Sequence, residues 1–242
     1  VNRDQASRTS LSSEELRTVV AEASTVIPHR HQRMLMSILD LERINVEDIM
    51  VPRNEIAGID VADDWDEVLE QLRDSRHTRI PVYEGDLDNL IGILHMKKVA
   101  RLFAHGEIDR DQLVALARTR EPFYVPEGTS LNRQLLNFQR QRRRVAFIVD
   151  EYGDVQGLVT LEDLLEEIVG EFTSDTSSLH KDVHREKDGN FVVNASASVR
   201  TLNRKMGWSL PTTGPRTLNG LIIELLETIP DAGTSLRIND YA

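Results

Sequence analysis

The segment GLVTLEDLLEEIVGEF, residues 157–172, contains a threonine and an aspartate whose spacing permits two kinds of chemistry. Thr160 and Asp163 stand at the start of an apolar helical stripe, where a hydroxyl and a carboxylate can bond to the exposed N–H groups of the first turn. The same two side chains can instead bind adjacent hydroxyl groups of a small molecule. The motif therefore predicts a helix cap, a ligand contact, or both.

The composition is typical of a soluble globular chain. It has 242 residues, of which 40% are hydrophobic and 29% are charged, enough for one large domain or two to three small ones. The net charge of −11 argues against wholesale nucleic-acid binding, and the absence of cysteine excludes disulfides and thiolate chemistry. No apolar run approaches the roughly 20 residues that span a bilayer. We therefore expect the chain to be soluble, with no nucleic acid as a partner.

An internal repeat organises the chain between residues 44 and 172. The segments RIPVYEGDLDNLIGILHMKKVARLF, from Arg79, and VAFIVDEYGDVQGLVTLEDLLEEI, from Val145, both predict strand, acidic glycine-containing turn, strand and helix. An extended lead-in and another helix precede each copy, so the unit is β-α-β-β-α and spans roughly 55–60 residues. Because units of this size rarely bury enough surface alone, we expect the two copies to pack as one body.

The two copies differ at the Thr160-Asp163 motif. The first copy has His95 in place of Thr160 and Lys98 in place of Asp163. Histidine is a poor N-cap and lysine is unfavourable at a helix N-terminus, yet the first helix has an equally clear apolar stripe. The helix therefore does not depend on Thr and Asp, and their presence in one copy favours a ligand-binding role beside the cap.

Two such units, the second with the pattern G-h-h-T-x-x-D, resemble a tandem pair of CBS domains, a module that senses adenine nucleotides. The segments VEDIMVPRNEI before the pair and DGNFVVNASASVRTLNRKMGW after it resemble the CorB/CorC/CNNM family of magnesium and cobalt transport proteins. The helix LSSEELRTVVAEAS is most similar to the membrane-anchored CorB branch. The resemblance implies an α/β (α+β) fold, with a CBS pair followed by a small α+β CorC-associated domain whose fold is flavin-binding-like; no flavin motif is present.

The resemblance and the residue patterns together predict five segments. They are a helical connector to a missing membrane domain (1–43), CBS domain 1 (44–108), CBS domain 2 (109–172), a polar linker (173–187) and the CorC-associated domain (188–242). The connector should contain two helices over residues 12–43, the first capped by Ser12 or Ser13. The last domain should be truncated, since the family continues with further strands, and SLRI, from Ser235, should begin a strand.

The resemblance also implies an ATP site between the two CBS domains. The implied roles are ribose contacts from Thr160 and Asp163, adenine contacts from Leu158 and Val159, base stacking by His77, a phosphate contact from Arg79, and closure of the pocket by Ile49 and Val51. For His77 and Arg79, an exposed loop histidine and a surface arginine beside a strand stay open as alternatives.

Magnesium would accompany ATP as its counter-ion. Glu166 and Glu167 are weak candidates for direct Mg²⁺ ligands, because carboxylate oxygens suit this ion, although an ordinary solvated acidic face is the stronger interpretation. The sequence has no nucleophile–base pair, glycine-rich phosphate loop or metal constellation. We therefore do not expect an enzyme.

The resemblance implies the cytosolic regulatory module of an efflux-type Mg²⁺/Co²⁺ transporter. Such a module would lie on the cytoplasmic side of the inner membrane, form a homodimer through its CBS domains, and couple ATP binding to an N-terminal transmembrane domain. The alternative is a freestanding adenine-nucleotide sensor that regulates a cytosolic partner.

Overall fold

The computed structural model describes residues 12–23, 26–106, 108–170, 183–186, 188–215, 217–239 and 241. The chain forms two compact units, Val1–Gly170 and Glu171–Ala242. No helix among the described residues is long and apolar enough to cross a membrane.

The N-terminal unit contains both copies of the repeat. Its elements in chain order are α1 (Ser13–Glu22), α2 (His29–Asp40), β1 (Val51–Pro52), β2 (Ile59–Asp60), α3 (Trp65–Asp74), β3 (Arg79–Glu84), β4 (Asp86–His95), α4 (Met96–His105), α5 (Arg110–Arg118), β5 (Tyr124–Pro126), α6 (Leu131–Gln141), β6 (Val145–Val149), β7 (Val155–Thr160) and α7 (Leu161–Val169). The first copy is β2-α3-β3-β4-α4 and the second is β5-α6-β6-β7-α7. The predicted β-α-β-β-α order is confirmed.

The two helices predicted before the repeat are α1 and α2. Ser12 and Glu15 form a capping box at α1, in which the Ser12 oxygen accepts from the Glu15 N–H at 3.2 Å and the Glu15 carboxylate accepts from the Ser12 N–H at 2.7 Å. Gln32 of α2 donates its side-chain N–H groups to the carbonyl oxygens of Val20 and Ala21, both at 2.8 Å. These bonds hold the two helices together, and α2 also packs against α7.

Each copy has its own sheet, in the order β2-β3-β4 for the first and β1-β7-β6-β5 for the second. In both copies the first strand runs parallel to the second, and the second runs antiparallel to the third. Strand β1 comes from the lead-in of the first copy but pairs with β7, with Val51 opposite Leu158 and Pro52 opposite Gly157. The lead-in of one copy therefore completes the sheet of the other.

Two glycines at equivalent places allow these close approaches. A Cβ atom at Gly157 would lie 2.6 Å from the Val51 carbonyl oxygen, and one at Gly92 would lie 2.2 Å from the Ala117 carbonyl oxygen. Both distances are shorter than van der Waals contact, so only glycine admits the neighbouring backbone here.

Helix α5 was not predicted from the sequence, and it packs against the first copy of the repeat. Leu113 and Ala117 of α5 are fully buried in the core of the first copy, together with Val82 and Leu94. The apolar stripe of this short helix needs a face to cover, and the first sheet supplies it. The Ile93 N–H donates to the carbonyl of Arg120 at 3.1 Å and fixes the chain after α5 to β4.

The two sheets pack together through an apolar cluster of their own. Ile93 from β4 is buried with Val145, Phe147 and Val155 from β6 and β7. The expectation that the copies form one body is confirmed.

The C-terminal unit begins with a hairpin of β8 (Val183–Arg185) and β9 (Phe191–Val193), followed by α8 (Val199–Met206) and α9 (Leu218–Leu226). Strand β9 and both helices were predicted, and Gly207 ends α8 at a φ of 67° as expected for a glycine cap. Val199, Leu202 and Leu221 are buried in the core of this unit.

Two predictions for this unit are wrong. The polar segment 173–187 is not a linker throughout, because Val183 to Arg185 pair with β9; residues 173–182 and 187 lie outside the described residues. The segment from Ser235 does not begin a strand: Ile238 only bridges to Tyr241, with N–H···O distances of 2.8 and 3.0 Å. An extended apolar run becomes a strand only when another strand supplies its hydrogen-bond partners.

Candidate functional site

A cleft of about 350 Å³ lies between the two copies, within the size range of small-molecule sites. It is lined by Val51, Glu55, Ile56, Ala57, His77, Thr78, Arg79, Pro81, Val145, Leu158, Thr160, Glu162 and Asp163. The lead-in and β3 come from one side of the repeat and β6, β7 and α7 from the other, so the cleft exists only because the copies are packed together.

The structure brings six of the eight residues predicted for the ligand site into this cleft. They are Val51, His77, Arg79, Leu158, Thr160 and Asp163.

The side chain of Val159 does not make the predicted adenine contact, and closure of the pocket by Ile49, which does not line this cleft, stays a prediction. Val159 is fully buried in the core of the second copy, and Ile49 packs against the same core. Successive side chains of a strand point to opposite faces, so Leu158 and Thr160 face the cleft while Val159 faces the helices.

Thr160 and Asp163 form a complete capping box at the edge of the cleft. The Thr160 Oγ1 accepts from the Asp163 N–H at 3.1 Å, while Asp163 Oδ2 accepts from the Thr160 N–H at 2.9 Å and from its hydroxyl at 2.7 Å. Within the described part of the chain, Asp163 Oδ1 accepts no hydrogen bond. The cap therefore orients the half-buried carboxylate and leaves one oxygen to accept from a ligand.

The equivalent position of the first copy does cap its helix, contrary to expectation. His95 Nδ1 accepts from the Lys97 N–H at 3.2 Å. A neutral imidazole can do this because one of its ring nitrogens is an acceptor. The copies thus differ in whether a carboxylate is present, and both helices are capped.

Arg79 reaches the cleft from the opposite side. Its side chain is 19% exposed, and its Nη1 lies 3.7 Å from Oε1 of Glu162, beyond hydrogen-bonding distance. Glu162 is 54% exposed and also lies 3.4 Å from Arg144. Because a long, partly solvated ion pair contributes little, the Arg79 guanidinium can turn toward an anionic ligand at low cost. His77 is exposed at the same rim, so stacking on a base stays a prediction.

Some residues of the cleft were missed by the sequence analysis. Val145 could have been found, since it stands opposite Thr160 in the β6–β7 ladder, and Pro81 could have been found because it follows Arg79 by one strand period. Glu55 and Ile56 carry no local signal, because their position depends on β1 pairing with a strand about 100 residues later.

Arg53 was also missed, and it ties the lead-in to both sheets. Its Nη1 donates to Asp88 Oδ1 at 2.7 Å and to the Val155 carbonyl at 2.8 Å, and its Nη2 donates to Asp86 at 2.6 Å and to Asp88 Oδ2 at 2.9 Å. The Val155 N–H donates to Asp88 Oδ1 at 2.7 Å. The Arg53 guanidinium lowers the pKa of Asp88 to about 2. This Arg53–Asp88 clamp joins the first sheet, the lead-in and the start of β7.

A protein-bound metal gains no support from the geometry. Among the described residues, no group of three or more His, Asp or Glu side chains could hold a metal ion. Glu166 and Glu167 lie on α7, and their proposed role as Mg²⁺ ligands stays a prediction.

Two β-α-β-β-α copies packed sheet to sheet around a polar-edged cleft define a pair of CBS domains. Comparison with family models agrees: the CBS domain model matches residues 46–105 and 115–170, and the transporter-associated CorC_HlyC domain model matches residues 184–242.

Curated relatives span nearly the whole chain. It is 48% identical over 234 residues to the UPF0053 inner membrane protein YfjD of Escherichia coli (strain K12), covering 96% of the chain but 54% of that protein. It is 28% identical to the magnesium and cobalt efflux protein CorC of Pasteurella multocida (94% of the chain, 76% of the relative). It is 31% identical to the hemolysin C homolog of Rickettsia massiliae, over 86% of the chain and 70% of that relative. The chain thus spans about half the length of the UPF0053 relative.

Solved structures show the same fold. A CBS-domain pair with bound AMP from Klebsiella pneumoniae is 48% identical, covers 52% of this chain and 99% of its own, and has a TM-score of 0.50. The CBS domain of a bacterial CNNM/CorC-family Mg²⁺ transporter is 33% identical. Its complex with the inhibitor IGN95a has a TM-score of 0.60 and covers 67% of this chain and 99% of its own. Its complex with ATP has a TM-score of 0.50 and covers 59% of this chain and 99% of its own. The chain belongs to the CorC/CNNM family.

Proposed function

We propose that this chain is the regulatory module of an efflux-type Mg²⁺/Co²⁺ transporter of the CorB branch, and that it binds ATP with Mg²⁺ in the cleft. The observation that carries the proposal is the oriented Asp163 carboxylate on one side of the cleft with the Arg79 guanidinium on the other. Support also comes from the AMP and ATP complexes of related CBS domains and from the relatives named as magnesium and cobalt efflux proteins.

The residues of the cleft fit the three parts of the nucleotide. Leu158, Val51 and Ile56 supply an apolar surface for adenine. The free oxygen of Asp163 would accept from the ribose hydroxyls, a charge-assisted bond of the strong kind. Arg79 would bind the phosphates, for which a guanidinium is well suited.

Magnesium enters this proposal as the counter-ion of the ATP phosphates. Mg²⁺ is commonly held by substrate phosphates, waters and one or two carboxylates. The cleft offers Glu55 and Glu162 as carboxylates close to the phosphate side. This chain's own contribution would be to hold the nucleotide, and no catalytic step is proposed.

The binding of ATP can regulate transport only if one arrangement of the module binds it better than another. We propose that these arrangements belong to a homodimer formed through the CBS domains and connected to an N-terminal transmembrane domain. The module would then lie at the cytoplasmic side of the inner membrane. A typical coupling of about 1–3 kcal/mol would change transport roughly 5–150-fold.

The proposal is tested by calorimetric titration of ATP, ADP and AMP, with and without Mg²⁺. Asp163→Asn keeps an acceptor for the Thr160 N–H but removes the negative charge, and Thr160→Val removes the hydroxyl. Both should weaken ATP binding about tenfold or more, because hydrogen bonds to charged groups are strong. Thr217→Val is the matched control, since Thr217 caps α9 in the same way, through the Gly220 N–H at 3.1 Å, in the other unit.

The outcomes separate the two roles of the motif. Loss of ATP affinity in the Thr160 and Asp163 variants, with unchanged affinity in Thr217→Val, supports a nucleotide site. If all three variants bind ATP with the affinity of the wild-type chain, or if no nucleotide binds, Thr160 and Asp163 serve only as a helix cap.

A further inference from the structure

The lead-in of the first copy, residues 41–57, connects helix α2 to the candidate ATP cleft. Val51 and residues 55–57 of this segment line the cleft. Helix α2 ends at Asp40, where the lead-in begins. A shift of the lead-in at the cleft therefore also acts on the end of α2.

The lead-in is held along its length by the second copy. Its second half pairs with β7 through β1. In its first half, the Val46 N–H donates to the Thr129 carbonyl at 2.8 Å, and the Leu131 N–H donates to the Ile44 carbonyl at 2.9 Å. Val46 is fully buried in the core of that copy. Because a packed and hydrogen-bonded segment cannot absorb a displacement by bending locally, it transmits the displacement to its neighbours.

Helix α2 has a second route to the cleft. It packs against α7, and α7 begins at the Thr160-Asp163 cap on the edge of the cleft. A ligand that contacts both the cap and the lead-in would therefore act on α2 through α7 as well as through the chain that follows α2.

The sequence of α2 makes it a weak helix. Arg30 lies in its first turn and Asp40 in its last, the reverse of the charges that a helix dipole favours. Pro28 at the N-cap provides no side-chain hydrogen bond, and α2 has no buried residue. Its order thus depends on its contacts with other helices, as expected for a segment of low local stability.

A few polar contacts hold α2 to α1. Gln32 donates to the Val20 and Ala21 carbonyls, both at 2.8 Å. Arg17 of α1 forms an ion pair with Asp40 of α2. We call these two helices the α1–α2 pair, and these contacts allow it to dock on α7 as a unit.

We propose that the α1–α2 pair is energetically coupled to the cleft, so that ATP binding and docking of the pair on α7 stabilise each other. The inference rests on the proposed ATP site and names the segment through which that site would act. Coupling is reciprocal: if ATP favours the docked pair, docking raises the affinity for ATP by the same factor. That factor is typically about fivefold or more.

The test is hydrogen–deuterium exchange of the full chain, followed by mass spectrometry, with and without saturating ATP and Mg²⁺. ATP should slow amide exchange in α2 at least about fivefold, because local opening of the pair becomes less favourable. Exchange in α9, which belongs to the other unit, should stay the same and serves as the internal control.

Substitutions in the pair test the reverse direction. Gln32→Ala removes two hydrogen bonds between the helices without changing a residue of the cleft. It should speed exchange in α2 and weaken ATP binding about fivefold in calorimetric titration. Gln71→Ala, at an exposed glutamine of α3 with no hydrogen bond to a described side chain, is the matched control and should leave both unchanged. Arg17→Gln is a second variant if Gln32→Ala folds poorly.

The outcomes distinguish this inference from the proposed function. If ATP binds but does not slow exchange in α2, or if Gln32→Ala binds ATP with wild-type affinity, the inference is overturned while the ATP site stands. If no ATP binds, Gly157→Ala decides without a nucleotide, because its Cβ would lie 2.6 Å from the Val51 carbonyl oxygen and displace the lead-in. Faster exchange in α2, with α9 unchanged, would then support the link and leave only the ligand wrong, whereas equal exchange would overturn it.

Discussion

The Arg53–Asp88 clamp makes a measurable prediction about the N-terminal unit. Asp88→Asn removes the charge that Arg53 binds while keeping an oxygen that can accept from the Val155 N–H. The free energy of unfolding of this unit should fall, because the lead-in, the β3–β4 hairpin and β7 are joined through this carboxylate.

The size of the effect follows from the Asp88 pKa. Lowering it from the ordinary 3.8 to about 2 corresponds to about 2.4 kcal/mol at full strength. Both side chains are 36% exposed, so solvent screening reduces the expected loss to about 1–1.5 kcal/mol. Asp86→Asn is the matched control: Asp86 is 61% exposed and has a single contact with Arg53, and its loss should cost less than about 0.5 kcal/mol.

The same pair predicts how stability depends on pH. A carboxylate with a depressed pKa in the folded state stabilises the fold above its unfolded pKa and loses that contribution as pH falls through the folded pKa. The stabilisation by Asp88 should therefore be complete at pH 6, about half lost near pH 3, and nearly gone below pH 2. The difference in free energy of unfolding between the wild-type chain and Asp88→Asn should therefore decrease as the pH falls from 6 to 2.

The assay needs a signal from the N-terminal unit alone. The chain has two tryptophans, Trp65 in α3 and Trp208 in the other unit. In a Trp208→Phe background, urea unfolding followed by the fluorescence of Trp65 reports this unit. A double-mutant cycle with Arg53→Gln should give a coupling energy of about 1 kcal/mol. The clamp would be refuted by a coupling energy near zero. It would also be refuted if Asp88→Asn lowered the free energy of unfolding as much at pH 3 as at pH 6.

Two further substitutions test the packing. Gly157→Ala should lower the free energy of unfolding by about 1–3 kcal/mol and weaken ATP binding, because the new methyl group would push β1 away from β7. Gly128→Ala is the control: a Cβ atom there would meet no neighbouring atom within 4 Å, so urea unfolding should be unchanged. Gln134→Leu should raise the free energy of unfolding by about 1 kcal/mol, because the buried Gln134 Nε2 has no hydrogen-bond partner in the described part of the chain. Gln141→Leu, at the exposed end of α6, is the control and should change the free energy of unfolding little. Equal effects within either pair would contradict the reasoning.

Most of the secondary structure could be predicted because it depends on residues close in sequence. The stripe of α7 and its capping box require only the order Thr160-Leu-Glu-Asp163, and Gly207 ends α8 through its own backbone freedom. The repeat likewise predicted that the two copies share one architecture. The missed elements, α5 and β8, are short, and each forms by covering or pairing with a partner elsewhere.

The candidate site was predicted in part. Comparison of the two copies and the family resemblance both pointed to Thr160 and Asp163, and the resemblance alone pointed to Arg79. It could not distinguish Leu158, which faces the cleft, from Val159, which faces the core, because that choice depends on the register of β7 against its neighbours.

The sequence by itself thus determined the repeat, the caps at Thr160 and Gly207 and the chemical types of the groups predicted for the cleft, because spacing along the chain controls each of them. Only the tertiary structure decided which groups meet. Val51 lies opposite Leu158 and Arg53 binds the carbonyl of Val155 across more than 100 residues of chain. Such contacts follow from backbone pairing and from glycines that allow close approach, and no local pattern specifies them.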